Sequence, residues 1–229
     1  IGTHHPNEMA QTEAAFGHQL ANMWVHNEFI LVDGAKMAKS KGNSYTLKDI
    51  TDKGYNPLAL RLLYLQAHYR SEINFTWESL DAAQNRLKNW RQIAALKWQP
   101  LERVIDNEES FSAGLVAAYE DIEDYLADDL DTPALLARLS DVFSVAEART
   151  LRAAEIEPFV RLLEHIDETL GLDLSEQADI SNEQRDVITQ REQAREAKDW
   201  AKSDELRGKL TEQGIGLRDT PNGAQWYRL

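Results

Sequence analysis

The 229-residue sequence contains no cysteine, which excludes disulfide bonds. A metal site would therefore have to use His, Asp or Glu, or borrow ligands from outside the chain. No apolar run approaches the roughly 20 residues needed to cross a bilayer, and no signal peptide opens the sequence. We expect a protein without a membrane span, and a cytoplasmic location fits best.

Basic residues are also scarce, because 25 Lys and Arg stand against 39 Asp and Glu and give a net charge of −14. That charge alone argues against binding to nucleic acid, whose phosphates attract cations. The distribution reverses the argument. Residues 111–180 hold 17 acidic and 4 basic side chains, whereas residues 181–229 hold 9 of each sign. The acidic charge is confined to the middle, and either end remains able to bind RNA.

The first residue is Ile1 instead of methionine, and no helix or strand pattern leads into it. We expect the sequence to be part of a longer polypeptide.

Residues 1–100 predict a helix from about Asn7 to Leu20, followed by a short buried strand from Val25 to Val32. A turn at Asp33 and Gly34 leads into a loop that bears Lys and Gly. Helical spacing then begins after three expected N-caps. These caps are Thr46, Asn56 and Thr76, and the third helix carries Leu80, Ala83 and Leu87 on one face.

The remaining residues predict three helices at about 109–127, 133–149 and 155–170, which together form a bundle with an acidic outer face. A polar linker follows from about Asp173 to Ser181. Two more helices, at about 182–197 and 200–213, precede Gly214. The Asn222 and Gly223 pair between two β-compatible runs predicts a closing hairpin.

The loop after the predicted strand carries three lysines and a glycine in eight residues, namely Lys36, Met37, Ala38, Lys39, Ser40, Lys41, Gly42 and Asn43. Mobile ammonium groups suit a phosphate-bearing ligand, although an ordinary solvated basic loop is the alternative. The loop resembles the KMSKS signature of class I aminoacyl-tRNA synthetases. That resemblance implies ATP as a substrate with magnesium, with Lys39 as the main catalytic residue and Lys36 in support. Ala38 stands where serine is usual, so we expect altered loop closure.

A second cluster narrows the family. His4, His5, Pro6, Asn7, Glu8, Ala10, Gln11 and Glu13 resemble the HHENExAQSE stretch of cysteinyl-tRNA synthetases. His4 and Glu8 are four residues apart and would project from the same side of a helix. The resemblance implies that they bind zinc together with two cysteines, which this chain lacks. We therefore expect only a partial zinc site.

The C-terminal residues resemble the anticodon-binding domain of bacterial cysteinyl-tRNA synthetases. The resemblance implies contacts to tRNA from Arg195, Trp200, Asp204 and Asp219, because unstacked bases need aromatic faces and polar groups. For Trp226, packing in the core of this small domain is as good an interpretation as contact with tRNA. Arg61 and Arg70 resemble residues of the stem-contact region, where tRNA contact and structural ion pairing are equally plausible.

The patterns predict a mainly α fold, and the resemblance implies that it divides into four parts. Residues 1–45 would end a Rossmann-type catalytic domain, 46–100 would form stem-contact helices, and 101–175 would form the helical bundle. Residues 182–229 would form a small α+β domain with a β-hairpin, which binds the anticodon.

The resemblance implies that the parent enzyme is a cysteine–tRNA ligase, which activates L-cysteine with ATP and transfers it to the tRNA for cysteine. We expect this chain to be inactive alone. One alternative is the ligase that joins cysteine to an amino sugar in mycothiol synthesis, although it should lack the anticodon domain. The other is a non-catalytic helical module that binds tRNA.

Overall fold

The computed structural model describes residues 4–38, 40, 42–101, 111–220 and 223–229. The helices are α1 (His5–Phe16), α2 (Leu47–Asp52), α3 (Pro57–Leu65), α4 (Trp77–Ala94), α5 (Ser112–Ala127), α6 (Thr132–Arg149), α7 (Ala153–Leu170), α8 (Asn182–Glu196) and α9 (Trp200–Glu212). A 3₁₀ helix (Ala95–Trp98) extends α4. The strands are β1 (Ile30–Val32), β2 (Ala35–Lys36), β3 (Ile73–Phe75), β4 (Ile215–Thr220) and β5 (Gly223–Arg228). The fold is mainly helical with a small C-terminal hairpin, as predicted.

The strand expected from Val25 to Val32 is confirmed only at its end. β1 spans Ile30–Val32, and the start of the predicted range is not buried, because Val25 and Phe29 are 64% and 65% exposed. β1 pairs antiparallel with β2 and parallel with β3, over two and three residues respectively. These short partners end the ladder at Ile30, so the apolar residues before it are not drawn into a sheet.

The helix starts in the first half follow the predicted caps. The Thr46 hydroxyl accepts the Asp49 N–H, and the Asp49 carboxylate accepts the Thr46 N–H at 2.6 Å, which forms a capping box. The Asn56 side chain accepts the Leu58 N–H at 2.8 Å, with Pro57 in the first turn. Thr76 forms a second capping box with Ser79. Helix α1 starts earlier than predicted. It also ends earlier, because Gly17 adopts a left-handed conformation that terminates it.

The three central helices are present, with α7 beginning before the predicted Glu155. Pro158 lies inside α7, where it removes one backbone donor to the Ala154 carbonyl. The Ser112 hydroxyl donates to that carbonyl at 3.4 Å, which compensates in part for the missing donor. Residues 102–110, in which the first of these helices was expected to begin, lie outside the described residues.

One cluster of buried apolar side chains extends from Val32 in β1 to Leu174. Within it, Trp90 of α4 packs edge-to-face on Phe143 of α6 with ring centroids 5.0 Å apart. Phe143 in turn contacts Phe159 of α7. The helices near the first sheet and the central bundle therefore share a hydrophobic core, which accounts for most of the favourable free energy of folding.

The predicted polar linker at 173–181 has no regular secondary structure, yet it is packed against the protein. Leu174 and Ile180 are 0% and 6% exposed. The Asp167 carboxylate accepts the Leu174 and Ser175 N–H groups at 2.8 and 2.6 Å. The Trp98 indole donates to the Gln177 carbonyl at 2.8 Å. These contacts hold the segment against α7 and the 3₁₀ helix.

The C-terminal unit consists of α8, α9 and the antiparallel β4–β5 hairpin, in which Ile215 pairs with Arg228 and Thr220 with Gly223. The predicted hairpin is confirmed, although residues 221–222 of its turn lie outside the described part. Gly214 has a φ of 77° and turns the chain from α9 into β4. A second apolar cluster joins this unit to the preceding helices, and its members are Ala95, Ile180, Leu210, Ile215, Leu217 and Trp226.

Among the described residues, no helix is both long enough and apolar enough to cross a membrane.

Candidate functional site

The lysine loop begins at a tight turn between β1 and β2. Asp33 and Gly34 both have positive φ angles, of 50° and 73°, which suits a two-residue hairpin turn. The Gly34 N–H donates to the Asn74 side chain at 2.8 Å, which ties the turn to β3. Lys36 is exposed on β2, and its Nζ lies 5.3 Å from the centroid of the Phe29 ring. The sheet therefore presents Lys36 at the surface.

Asn43 joins the two ends of this loop. Its side-chain oxygen accepts the Ala38 N–H at 2.9 Å, and its amide nitrogen donates to the Lys36 carbonyl at 3.2 Å. Gly42 just before it has a φ of 68°. Met37 packs against the main core. The loop is anchored at both ends, and Lys39, the main catalytic candidate, lies outside the described residues together with Lys41.

His4 and Glu8 lie one turn apart at the start of α1, where the Glu8 N–H donates to the His4 carbonyl at 3.0 Å. Both side chains are exposed. A closed tetrahedral zinc site needs four ligands. Within the described part of the chain, no group of three or more His, Asp or Glu side chains is close enough to hold a metal ion. These two residues by themselves do not fit a zinc ion.

His5 faces the protein instead of solvent. Its ring lies 4.8 Å from the Trp24 ring and 4.7 Å from the His26 ring. Burial lowers the pKa of His5, and the neighbouring His26 and His4 add to that effect. The aromatic contacts fix the start of α1 against the segment before β1.

The four predicted RNA-binding residues lie on α8, α9 and β4. Arg195 of α8 contacts residues on both of the other two elements. Its Nη1 donates to the Asp219 carboxylate at 2.8 Å, and its guanidinium carbon lies 6.0 Å from the centroid of the Trp200 ring. Trp200 is 57% exposed at the start of α9. Asp204 follows it by one turn and is also exposed. An exposed aromatic ring with cationic and anionic groups beside it can stack a base and bind its edge.

Arg191 supports this cluster from below, and the sequence analysis missed it. Its side chain is 2% exposed, and its two terminal nitrogens donate to the two Asp219 oxygens at 2.8 and 3.0 Å. This bidentate geometry fixes the orientation of the carboxylate. The available signal was the position of Arg191 on the apolar stripe of α8, three and four residues after Ile188 and Val187.

The ionisation of Asp219 reflects these partners. The hydrogen bonds from Arg191 lower the pKa of Asp219, and the positive charges of Arg191, Arg195 and Arg207 act in the same direction. Burial opposes them. Asp219 is therefore an anion at neutral pH, able to accept further hydrogen bonds at its 38% exposed carboxylate.

Trp226, by contrast, belongs to the core. It is 4% exposed in the second apolar cluster. Its backbone N–H donates to the Gln99 side chain at 2.8 Å, and its carbonyl accepts from the same side chain at 3.2 Å. Its ring therefore supports the hairpin and does not face a ligand.

The two arginines of the first half take part in contacts within the protein. Arg70 pairs with Asp129 at 3.1 Å, and the Tyr69 hydroxyl donates to the same carboxylate at 2.6 Å. Arg61 donates to the Leu170 carbonyl at 3.4 Å. Both residues link the region around α3 to the central bundle.

Comparison with known proteins gives matches at both ends of the chain. Residues 1–85 match the family model for the class I (C) tRNA synthetase catalytic domain, and residues 177–228 match the model for the cysteinyl-tRNA ligase anticodon binding domain. The chain is 39% identical to a cysteine–tRNA ligase 1 of Burkholderia lata, an alignment that covers 100% of this chain and 46% of the relative.

The chain belongs to the cysteinyl-tRNA synthetase family.

Further relatives in this family include a cysteine–tRNA ligase of Lachnoclostridium phytofermentans, 33% identical over 100% of this chain and 51% of the relative. Another is a cysteine–tRNA ligase of Leptospira interrogans, 32% identical over 98% of this chain and 50% of the relative. The chain thus spans about half the length of the curated cysteinyl-tRNA synthetases that it matches. The predicted resemblance is confirmed at the level of the family.

Proposed function

We propose that this chain is the part of a cysteine–tRNA ligase that carries the lysine loop and reads the anticodon. The whole enzyme would activate L-cysteine with ATP and transfer it to the tRNA for cysteine, in the cytoplasm. The observation that carries the proposal is the exposed cluster of Arg195, Trp200 and Asp219 within the segment that matches an anticodon-binding family.

In this proposal the four predicted parts have separate tasks. Residues 1–45 would close the catalytic domain, 46–100 would contact the tRNA stem, 101–175 would form the connecting bundle and 182–229 would bind the anticodon. The continuous core between β1 and the bundle supports a fixed geometry between the first three parts.

The lysine loop would act by placing positive charge. Lys36 and Lys39 would stabilise the negative charge that develops on the phosphates of ATP as the cysteine carboxylate attacks. Asn43 supports this role because its two hydrogen bonds, to the Ala38 N–H and the Lys36 carbonyl, hold the two ends of the loop together. Magnesium would accompany ATP as part of the substrate.

A zinc site would have to be shared between this chain and the rest of the enzyme. His4 and Glu8 would supply two ligands if the rest of the enzyme supplied the others, because these side chains leave the same face of α1. When bound, the metal would favour a thiolate over a hydroxyl. The chain's own part is to hold His4 and Glu8 at the surface, with His5 packed against Trp24 and His26.

The anticodon cluster would act by stacking and hydrogen bonding. The exposed Trp200 ring offers a stacking face, and Arg195 and Asp219 lie beside it to donate and accept hydrogen bonds. Asp204 lies one helical turn from Trp200 and would contact a neighbouring nucleotide. Arg191 would act as a positioning residue, since it holds Asp219 through two hydrogen bonds.

Binding of labelled tRNA to the 229-residue chain, followed by fluorescence anisotropy at stated salt, tests this proposal. We expect tighter binding to a tRNA with the GCA anticodon than to the same tRNA with a changed anticodon. Trp200→Ala should remove that preference, whereas Phe16→Ala, which removes another exposed ring, should retain it. Equal affinity for both tRNAs would refute anticodon reading.

The two alternatives make different predictions. The match of residues 177–228 to an anticodon-binding family favours tRNA over an amino sugar as the acceptor of cysteine. A non-catalytic module would show no role for the lysine loop in the complete enzyme. Lys39→Ala in the full-length parent should therefore abolish cysteine-dependent pyrophosphate exchange, whereas the 229-residue chain alone should show no exchange at all.

A further inference from the structure

A basic cleft lies between α4 and the end of the C-terminal hairpin, away from the lysine loop and from Trp200. Its volume is about 530 Å³, and residues of the α2–α3 connection and the 173–181 segment complete its walls. Three cations line it, with Lys88 and Arg91 on α4 and Arg228 on β5. In the described part of the chain no Asp or Glu side chain lines it, although acidic residues outnumber basic ones in the sequence as a whole.

The cations on α4 have no carboxylate partner in the described part of the chain. The two acidic residues of α4, Glu78 and Asp81, lie in its first turns, and Asp81 accepts the Tyr55 hydroxyl at 2.6 Å. Lys88 and Arg91 come two turns or more later and are three residues apart, so they project from the same face. The side chains that line the cleft in the described part of the chain are therefore cationic or neutral.

One hydrogen-bond donor of Arg91 is unsatisfied in the part of the chain that the structure describes. Its Nε is buried from solvent and has no hydrogen-bond partner among the described residues. A guanidinium is always charged, and leaving one of its buried donors unsatisfied costs free energy. Arg91 also lines the cleft, so an anion bound there would contact its guanidinium.

Gln84 and Arg228 add further hydrogen-bond donors to the cleft. Gln84 uses its side-chain oxygen to accept the Asn56 N–H at 2.8 Å, which leaves its amide nitrogen to donate. Arg228 donates through one nitrogen to the Ala178 and Asp179 carbonyls at 3.2 and 3.0 Å, and its remaining nitrogens stay available. Two walls of donors around a cleft larger than one phosphate suit a ligand with several phosphates.

We propose that this cleft binds successive phosphates of an RNA backbone, in an interaction that rests on the tRNA binding proposed above. The hairpin supplies the connection. Asp219 of the anticodon cluster pairs with Ala224, and Arg228 lies four residues further along the same strand. At about 3.3 Å per residue the cleft is roughly 13 Å along the hairpin from that cluster. An RNA strand bound at one place can therefore reach the other.

Two double variants with the same change in charge test the assignment. Lys88→Gln with Arg91→Gln removes two cleft cations, and Lys209→Gln with Arg161→Gln removes two exposed cations elsewhere. Loss of two phosphate contacts should lower the salt dependence of tRNA binding. The wild-type affinity should then fall about seven- to twelvefold more than the cleft variant's between 50 and 200 mM salt. The control variant should retain the wild-type salt dependence.

A direct measurement keeps the test independent of folding in the variants. The Nε–H resonance of Arg91 in the 229-residue wild-type chain, assigned from its loss in Arg91→Gln, should shift when tRNA is added. Parallel additions of ATP and of inorganic phosphate separate a backbone site from a site for small anions. A shift with tRNA, together with the reduced salt dependence, supports the proposal.

Two other results would overturn it. If ATP or inorganic phosphate shifts the Arg91 resonance while tRNA does not, the cleft binds small anions instead of RNA. If tRNA binds and responds to Trp200→Ala but neither the Arg91 resonance nor the cleft variant's salt dependence changes, the cleft is not on the RNA path and the proposed function survives. Absence of tRNA binding by the wild-type chain would refute both.

Discussion

Replacing Asp219 by alanine should destabilise the C-terminal unit far more than removing its exposed partner Arg195. The reason is the burial of Arg191, whose side chain is 2% exposed and whose two terminal nitrogens both donate to Asp219. Removing one partner of a buried pair costs about 3–5 kcal/mol. Asp219 is itself 38% exposed, so solvent weakens the pair and we expect about 2–3 kcal/mol.

The matched variants sharpen this expectation. Arg195→Ala breaks a pair whose side chains are 39% and 38% exposed, so it should cost only about 0–1 kcal/mol. Adding Arg191→Met to Asp219→Ala removes the buried charge that the single variant leaves without its main partner. The double variant should therefore be more stable than Asp219→Ala alone.

Hydrogen exchange of the paired amides in β4 and β5 measures the opening free energy of this unit. Urea unfolding followed by circular dichroism reports the whole chain and serves as the comparison. The reasoning is refuted if Asp219→Ala costs no more than Arg195→Ala. It is refuted equally if Arg191→Met makes the Asp219→Ala variant still less stable.

Three further predictions concern individual side chains. Trp200→Ala should change the free energy of unfolding by less than about 0.5 kcal/mol because the ring is exposed, whereas Trp226→Ala should cost about 3–5 kcal/mol, both measured by urea unfolding. Glu155 is fully buried and accepts the Phe111 and Arg152 N–H groups at 2.6 and 2.9 Å, so Glu155→Ala should cost about 3–5 kcal/mol while Glu155→Gln costs less. The lowered pKa of Asp219 gives stability that is complete above about pH 3.9 and is lost as the pH falls through the folded-state pKa. Hydrogen exchange of β4 and β5 should show this loss below pH 4 in the wild type but not in Asp219→Asn.

The helical parts of the fold were predictable because their signals are local. Thr46, Asn56 and Thr76 cap the helices expected of them, since an N-cap needs only its own side chain and the next three residues. The C-terminal hairpin was predictable for the same reason, because Asn222 and Gly223 stand between two β-compatible runs.

The first sheet was not predictable in the same way. A run such as Phe29 to Val32 is apolar whether or not it has partner strands, and β3 lies about forty residues away in the sequence. The packing of the segment at 173–181 was not predictable for a related reason. Its composition is polar, but its few apolar residues, Leu174 and Ile180, are the ones that the rest of the protein covers.

Some residues of the candidate site could be suggested from the sequence, and others could not. The family resemblance proposed Arg195, Trp200, Asp204 and Asp219 as RNA contacts, and in the structure Arg195 contacts both Trp200 and Asp219. The sequence gave no indication that Arg191 would hold Asp219, because that contact joins α8 to β4 across 28 residues. The roles of Lys36, Lys39, His4 and Glu8 stay predictions, since they depend on groups that the described residues do not contain.

The attachment of the hairpin to the preceding helices has a consequence for how the two ends of the molecule are spaced. Gln99 accepts the Trp226 N–H, and Glu147 of α6 accepts from Arg218 at 2.6 Å, so two contacts tie the C-terminal unit to the rest of the chain. The spacing between the hairpin and the lysine loop is therefore set when the chain folds, before any RNA arrives. Under the proposed function, this fixed spacing would select RNAs by shape. An RNA whose contact points do not match the distance between the hairpin and the lysine loop could not bind at both places.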